Sequence, residues 1–469
     1  MMIRLRLESD GIPQSWPMLK KVYCTYIPTI VGFLVCFASA TTVPAEAQFV
    51  SEFHVSSRVA LFPFSFFTLG LAFGPLLAAP ISENYGRRPV YLLGLLAFSL
   101  FTLGAGLSPS FTSLVLCRFF AGAFGGAMLV VGFGFLADVW TTKQLPVALS
   151  IFNVVPFCGP ATGQLVSSYI IPQKTWSWTQ WPTLFLAAFI YLTILPMPET
   201  YGTANNSTIQ TINEVKQKRF GEYIKSLLAA IPFVRPLHML IHEPVVCLFS
   251  LYIAFNFTAI YCFSASIPFV FKAQYGFSLQ SQGLVFTGLI FGYLISGPTM
   301  IFPYMKQMRK KQVANSSSSN IEPLENGTQP ESLLWPALIG AVALPVSFFW
   351  FGWSAEAQVH WASPIIALGL YSWGNNLLYN AAQLYLLETY GSRYGASATA
   401  ANNLLRYIWA AILPLFMTTM YSNLGTGWAS SLLGFILVLF VPIPWALRYF
   451  GPKLRSRSVY LQTDEILQQ

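Results

Sequence analysis

The sequence predicts an all-α membrane protein with twelve transmembrane helices arranged as two halves of six. Hydrophobic residues make up 55% of the 469-residue chain and charged residues only 9%, whereas a soluble domain carries about 25% charged residues. Twelve continuous apolar segments are each long enough to cross a bilayer as a helix, which takes about 20 residues. A polar segment rich in lysine and arginine divides these segments six and six.

The predicted spans are numbered one to twelve in chain order. They cover residues 27–47, 59–81, 90–108, 113–137, 146–170, 180–197, 245–271, 280–303, 335–354, 361–387, 396–421 and 427–449. Because the apolar runs are continuous rather than alternating, helices are favoured over the strands of a β-barrel. The predicted organisation is an N-terminal tail (1–26), a first half (27–198), a linker (199–244), a second half (245–449) and a C-terminal tail (450–469).

The distribution of basic residues predicts how the helices are oriented. With both termini in the cytoplasm, 21 of the 26 lysine and arginine residues lie on the cytoplasmic side and three lie outside. This asymmetry satisfies the positive-inside rule, which the inverted orientation would violate. The basic runs lack a module that could read a nucleic-acid groove, so anionic lipid headgroups are their expected partners rather than nucleic acid.

A very short basic turn joins spans two and three. Glu83 is followed by Gly86, Arg87 and Arg88, and the next apolar span begins at once. Gly86 can adopt a positive φ, and Pro89 suits the first turn of a helix. The S-E-x-x-G-R-R-P sequence resembles the loop between spans two and three of the major facilitator superfamily, especially its fungal drug:proton antiporters. A loop held at the cytoplasmic surface by two arginines is the alternative interpretation.

Arg118 lies about five residues into span four. A charged side chain at that depth is costly and normally faces a partner or a wet cavity. The sequence Arg118-Phe-x-x-Gly122 resembles the second motif of the superfamily, in which the arginine is tied to proton coupling. The alternative is a side chain that extends to the outer headgroups, because five residues rise only about 7.5 Å along a helix.

Span five carries Pro156, Gly159, Pro160 and Gly163. Small residues four positions apart let two helices approach closely, and proline bends a helix. The run resembles the antiporter motif G-P-x-x-G-P-x-x-G-G, which is associated with export, although valine replaces its first glycine and glutamine its last. A generic packing face of small residues is the alternative.

Charged residues at the inner ends of the spans suggest a gate. By the same resemblance, Arg87 would pair with Asp138 at the end of span four. Glu83 would lie against the N-terminus of span eleven, where the helix dipole favours an anion. With Arg88 and Arg118, these residues form the predicted coupling and gating set. Ordinary surface ion pairs, which contribute little energy, are the alternative.

Polar side chains within the apolar spans predict a substrate cavity. In span ten they recur every four residues, which places them on one side of a helix. These residues are Tyr371, Asn375, Tyr379 and Gln383, and spans seven and eleven add Tyr252, Asn256, Asn402 and Arg406. Aromatic and amide groups together suit an amphipathic ligand. Hydrogen bonding between helices is the alternative role for the amides.

No aspartate or glutamate lies deep within any predicted span. A proton-coupled carrier needs a group that changes charge during its cycle, and Glu46 at the outer end of span one is the nearest candidate. The sequence predicts no metal site and no organic cofactor, and a proton gradient is the expected energy source.

The resemblance extends over nearly the whole chain, including the P-E-T-Y sequence at 198–201 and the A-A-N-N-L-L-R-Y run of span eleven. It implies a monomeric transporter, not an enzyme, that exports small amphipathic or cationic compounds such as drugs and polyamines. Alternating access with proton antiport is the implied mechanism, and the plasma membrane is preferred over the vacuolar membrane as its location. Two alternatives stay open: a nutrient importer or uniporter, and a receptor of the same fold that senses its ligand without moving it.

Overall fold

The computed structural model of the protein describes residues 13–141, 144–200, 234–317 and 330–455. Within these ranges all regular secondary structure is helical, as the continuous apolar runs predict. Large apolar side chains such as Leu93, Phe185 and Leu439 are exposed on the outer surface of the bundle. A soluble protein rarely exposes so much apolar surface, and here it fits helices that face lipid.

The first half contains six helices with short connections. They are Met18–Ala40, Phe62–Tyr85, Arg87–Gly106, Phe111–Val139, Leu145–Ile170 and Trp181–Ile194, for spans one to six in order. The first helix begins well before the predicted start at residue 27, directly after Pro17 at its N-cap. This helix ends at Ala40, before the predicted end at residue 47. The chain that follows forms the short helices Glu46–Phe53 and Ser57–Ala60.

The second half begins with the helix Pro244–Tyr275, which is span seven. Span eight consists of Leu279–Val285 and Thr287–Ser317, and it continues past the predicted end at residue 303 into the basic segment. Span nine is Trp335–Glu356. The remaining helices are Ala362–Ile412, Pro414–Phe440 and Pro442–Arg455, which together hold spans ten to twelve.

Spans ten and eleven lie within the single 51-residue helix Ala362–Ile412, yet side-chain contacts show that the chain reverses inside it. The Gln383 amide donates to Thr399 Oγ1 at 3.3 Å, although residues 16 positions apart on a straight helix are separated by about 24 Å. The Arg406 guanidinium likewise lies 5.0 Å from the centre of the Tyr379 ring. Spans ten and eleven are therefore antiparallel neighbours, as the sequence predicts.

A second break separates spans eleven and twelve at Gly425. Its φ of +79° interrupts the helix Pro414–Phe440, and such a backbone is easiest for glycine. The Glu356 carboxylate, at the end of span nine, accepts hydrogen bonds from the backbone N–H groups of Thr426 at 2.8 Å and Gly427 at 3.1 Å. An acid from one helix thus caps the first turn of another, where the helix dipole favours negative charge.

Eight segments of the described chain are both long enough and apolar enough to cross a membrane. The apolar part of span two, Phe62–Leu76, is shorter, and the helix of span six has 14 residues. Spans ten and eleven carry several buried amides, among them Asn375, Asn380 and Asn402. Polar side chains in the middle of a membrane bundle are expected to face other helices or a cavity, so the space between the halves is the candidate location of a site.

Candidate functional site

A cavity of about 50 Å³ lies between the two halves of the bundle. Spans one, two, four and five line it from the first half, and spans seven, ten and eleven from the second. The described lining residues are Cys36, Pro75, Gly126, Leu129, Val130, Phe133, Phe152, Asn153, Pro156, Phe157, Pro160, Phe257, Ile260, Tyr261, Tyr379, Asn403, Arg406 and Tyr407. Sites for drug-sized ligands measure about 300–1,000 Å³, so a ligand of that size requires the halves to move apart.

The cavity lies at the middle of the bundle and towards its cytoplasmic end in the predicted orientation. Gly126 is near the midpoint of the span-four helix, and Phe133 lies two turns closer to its predicted cytoplasmic end. Phe152 and Asn153 belong to the first third of the span-five helix, which starts on the cytoplasmic side. The lining therefore extends inward from the membrane midplane.

On the opposite, outer side the two halves touch each other. The Arg58 guanidinium, just before span two, donates to Thr419 Oγ1 in span eleven at 3.1 Å. Spans five and eight pack so closely that a Cβ atom added to Gly283 would lie 2.6 Å from Ser168 Cβ. The halves are thus in contact at their outer ends, beyond the cavity.

Phe157 of span five connects the halves at the level of the cavity. Its ring centre lies 5.0 Å from that of Tyr379, 5.4 Å from that of Tyr293 and 5.9 Å from that of Phe257, all in the second half. Aromatic pairs at such distances contribute about 0.5–1.5 kcal/mol beyond the area they bury. The sequence analysis did not select Phe157, because one phenylalanine in an apolar span has no distinguishing feature.

A second contact between the halves joins two buried amides. Asn153 Nδ2 in span five donates to Asn380 Oδ1 in span ten at 2.7 Å. Asn380 in turn donates to Asn376 Oδ1 at 2.7 Å, and Asn376 donates to Ser296 Oγ at 2.6 Å. Asn153, an amide within an apolar span, is the feature of the sequence that could have predicted this contact, because buried amides in membrane helices hydrogen-bond across helices.

Arg406 is the one charged side chain among the described lining residues. It is 4% exposed, and its guanidinium carbon lies 4.3 Å from the ring centre of Phe257, 4.4 Å from that of Tyr407 and 5.0 Å from that of Tyr379. Each cation–π contact contributes about 0.5–2 kcal/mol, more where water is excluded. Nε of Arg406 has no hydrogen-bond partner among the described residues.

The predicted polar stripe of span ten is divided between two surroundings. Tyr379 lines the cavity, as does Arg406 of span eleven. Tyr371 instead donates to the backbone carbonyl of Asn256 at 2.6 Å, and Asn375 Nδ2 donates to the same carbonyl at 3.2 Å. These two residues tie span ten to span seven behind the cavity wall, which is the alternative role considered for the amides.

The other predicted cavity residues lie in contacts between helices. The Tyr252 ring centre is 5.5 Å from that of Phe440 in span twelve. Gln383 is hydrogen-bonded to Thr399. Asn402 is fully buried, and neither atom of its amide has a hydrogen-bond partner in the described chain. A role in ligand binding for these three side chains stays a prediction.

Arg118 is fully buried, so its side chain does not extend to the outer headgroups. Nη2 donates to the carbonyls of Ala38 at 2.7 Å and Ser39 at 3.0 Å, Nε to the carbonyl of Pro63 at 3.3 Å, and Nη1 to Gln180 Oε1 at 3.4 Å. None of these acceptors titrates. Arg118 therefore ties span four to the outer ends of spans one, two and six, and its part in proton coupling stays a prediction.

The glycines of span five lie against span one. A Cβ atom on Gly159 would approach Phe37 N to 2.7 Å, and one on Gly163 would overlap the Phe37 carbonyl oxygen. One turn away, a Cβ atom on Gly32 would lie 2.8 Å from Pro156 Cγ. The predicted close approach of two helices is confirmed, with span one as the partner. Pro156 and Pro160 also face the cavity.

At the inner end of the first half, the predicted ion pair is confirmed. Arg87 Nε lies 3.3 Å from Asp138 Oδ2, and Arg87 Nη1 donates to Ser82 Oγ at 2.7 Å. The arginine thereby joins the inner ends of spans two, three and four. The side chain of Glu83 lies outside the part of the structure that can be described, so its predicted place at span eleven stays a prediction.

Glu199 completes this network, and sequence reasoning did not assign it a role. Its carboxylate accepts hydrogen bonds from the backbone N–H groups of Arg87 at 2.8 Å and Arg88 at 3.0 Å, at the N-terminus of span three. Gly86 has φ of +94°, and a Cβ atom there would lie 2.5 Å from Glu199 Oε2. Arg88 Nη2 donates to the carbonyl of Leu195. The P-E-T-Y sequence at 198–201, which contains Glu199, is the feature of the sequence that could have identified this residue.

Helices in two halves around a central cavity, with a buried charge at its wall, define a membrane transporter. The chain belongs to the major facilitator superfamily: a family model described as "Major Facilitator Superfamily" matches residues 29–414. The predicted family and its twelve-helix fold are thereby confirmed. The protein is a multi-pass membrane transporter for a small-molecule substrate and is not an enzyme.

Several curated relatives are similar over nearly the whole chain. The chain is 32% identical to "Polyamine transporter 4" of Saccharomyces cerevisiae, with 96% of this chain and 71% of the relative covered. It is 32% identical to "Efflux pump radE" of Floropilus chiversii, covering 96% of this chain and 84% of the relative. These names place it with fungal drug-type transporters.

The crystal structure of a D-xylose-proton symporter superimposes with a TM-score of 0.65 at 14% identity, over 90% of this chain and 97% of that one, which shows the shared fold.

Proposed function

We propose that the protein exports small amphipathic compounds from the cytoplasm by alternating access, with proton antiport as the coupling. The observation that supports this most is the aromatic cavity between the halves, which extends towards the predicted cytoplasmic side while the outer ends are in contact. The name of one relative, an efflux pump, supports the direction. The name of another supports polyamines as one candidate class of substrate.

In this mechanism the two halves rock about the cavity. Arg87 and Asp138 belong to the first half, and Glu199 follows it directly, so their network moves with that half and keeps the inner ends of spans two, three, four and six together. The contacts that must break on the outer side include the hydrogen bond from Arg58 to Thr419 and the close packing of Gly283 against Ser168. The hydrogen bond is exposed and contributes little energy, which suits a change of state that occurs in every transport cycle.

Proton antiport rests on the family resemblance and needs a titrating group. Glu46, the candidate from the sequence, begins the short helix Glu46–Phe53 and is half-buried. Its role as the proton carrier stays a prediction. We further propose that the protein acts as a monomer in the plasma membrane, without a bound cofactor.

The test is accumulation of a fluorescent amphipathic compound in cells that express the protein, with and without a protonophore. Export predicts lower accumulation that rises when the protonophore is added. Phe157→Ala, which removes the ring between the halves, is expected to weaken export clearly. Phe185→Ala is the matched control, because Phe185 is exposed on the lipid-facing surface and its loss should change nothing.

Flux into proteoliposomes distinguishes the remaining alternatives. Substrate flux that does not depend on a proton gradient would replace the antiporter with a uniporter. Substrate binding without any flux would favour a receptor of the same fold.

A further inference from the structure

We infer that the cavity binds organic anions, with the acidic group of the substrate held by Arg406. This inference rests on the proposed export function and narrows it to one class of substrate, lipophilic carboxylic acids, in place of the cationic polyamines that one relative's name supports. It follows from the charge of the lining, from an unpartnered donor on the arginine, and from the apolar residues that the first half contributes to the lining.

The described lining residues carry one positive charge and no negative charge. Of the described lining residues, Arg406 alone is ionised, and the structure shows no ion pair between it and a described carboxylate. Two acids at the ends of spans have other partners: Asp138 is paired with Arg87, and Glu356 caps span twelve. A cationic substrate would therefore meet a like charge in a site that excludes water, whereas an anion would supply the missing counter-charge.

The expectation of cationic substrates came from the family resemblance, and aromatic faces in a cavity would suit such substrates, since aromatic faces attract cations. In the structure three of the aromatic faces of the lining are already occupied. The rings of Phe257, Tyr379 and Tyr407 surround the guanidinium of Arg406 at 4.3–5.0 Å. The protein's own arginine thus takes the position that a cationic substrate would need.

Arg406 differs from Arg118, which is also buried, in having a hydrogen-bond donor without a partner in the described chain. Arg118 donates to four protein acceptors, whereas Nε of Arg406 is buried without a partner in the described chain. One more donor of the lining is also buried and unpartnered, Oη of Tyr261. An unmade hydrogen bond in such a place is costly. A carboxylate can accept a charge-assisted hydrogen bond from Nε of Arg406 and another from the tyrosine hydroxyl.

The remainder of the lining indicates what the carboxylate is attached to. Leu129, Val130, Phe133 and Phe152 present an apolar surface from the first half. Pockets of this composition bind hydrocarbon or aromatic bodies and use a few polar groups for orientation. The substrate class that fits both parts is a small lipophilic acid with an aromatic or aliphatic body.

The experiment measures binding of three matched probes to the purified full-length protein by quenching of its tryptophan fluorescence. The probes are 2-naphthoic acid, its methyl ester and 2-naphthylmethylamine, which share one ring system and carry charges of −1, 0 and +1 near neutral pH. The wild-type protein is expected to bind the acid at least about tenfold more tightly than the amine, which corresponds to about 1.4 kcal/mol.

Variants assign this preference to Arg406. Arg406→Gln is expected to weaken binding of the acid about tenfold, equivalent to about 1.4 kcal/mol, and to change binding of the ester much less. Arg406→Lys keeps the charge and should retain part of the preference. Lys174→Gln is the matched control, because it removes a positive charge from an exposed position on the outer side and should leave all three affinities unchanged.

The inference is overturned if the wild-type protein binds the amine as tightly as the acid, or binds none of the three. It is also overturned if Arg406→Gln leaves the ratio of acid to ester affinity unchanged. Should that variant not fold, the wild-type comparison of the three probes decides alone. Flux of the amine but not the acid into proteoliposomes would leave the proposed export standing and refute the anion site. Binding of the acid without flux would support the site and refute export.

Discussion

Replacing Arg118 with lysine separates the charge of this residue from its geometry. The guanidinium reaches four acceptors because its nitrogens point in different directions. The two bonds from Nη2, to the carbonyls of Ala38 and Ser39, end at neighbouring oxygens that a single ammonium group could still contact. The bonds from Nε to Pro63 and from Nη1 to Gln180 cannot be made by that same nitrogen.

The loss can be estimated from these bonds. A hydrogen bond to a charged group contributes about 1.5–3 kcal/mol, so losing two costs about 3–6 kcal/mol before the surroundings relax. We expect Arg118→Lys to unfold at a clearly lower temperature than the wild-type protein in the same detergent, and to export less. Arg58→Lys is the matched control, because Arg58 is exposed and makes a hydrogen bond to Thr419; it should melt like the wild type.

The measurements are thermal unfolding of the purified protein and protonophore-sensitive accumulation in cells. An Arg118→Lys variant with wild-type melting temperature and export would refute the argument that geometry, not charge alone, makes this arginine necessary. A variant that is destabilised but keeps protonophore-sensitive export would instead count against the predicted role of Arg118 in proton coupling.

Two further perturbations test the packing and the inner network. Gly163→Ala should lower the melting temperature, because its Cβ would meet the Phe37 carbonyl and overpacking costs about 1–3 kcal/mol. Gly297→Ala is the control: its Cβ would lie 3.4 Å from the nearest neighbouring atom, so this variant should be neutral or stabilising. Equal melting temperatures of the two variants would contradict the packing argument. Arg87→Asp and Asp138→Arg should each reduce export, and combining them should restore part of it in the same accumulation assay. No recovery in the double variant, with harmless single changes, would show that the pair does not matter.

Residue patterns predicted the parts of the molecule that depend on local chemistry. Apolar runs located the spans, because a lipid environment leaves few alternatives to a helix. The small residues Gly159 and Gly163 predicted a close helix contact, and the family resemblance of the basic turn implied the ion pair of Arg87 with Asp138. Each of these features depends on a short motif and one partner.

The cavity wall could not be predicted as well, because it depends on which helix each face meets. Tyr371 and Tyr379 lie on one side of span ten, but the first faces span seven and the second faces the cavity. Nothing in the sequence distinguishes them. Glu199 belongs to the P-E-T-Y sequence, but its position at the start of span three depends on how the six helices of the first half are packed.

A cavity wall whose one ionised side chain is an arginine also determines how membrane voltage acts on the transporter. A cell interior is electrically negative, and moving one elementary charge across the membrane releases or costs about 2.3 kcal/mol per 100 mV. An anion that leaves the cell moves in the favourable direction, and at 100 mV this corresponds to about a fiftyfold concentration ratio. For such a cargo the voltage itself drives export. A described cavity lining without a carboxylate is then compatible with export against a concentration gradient, because the cargo supplies the negative charge on which the field acts.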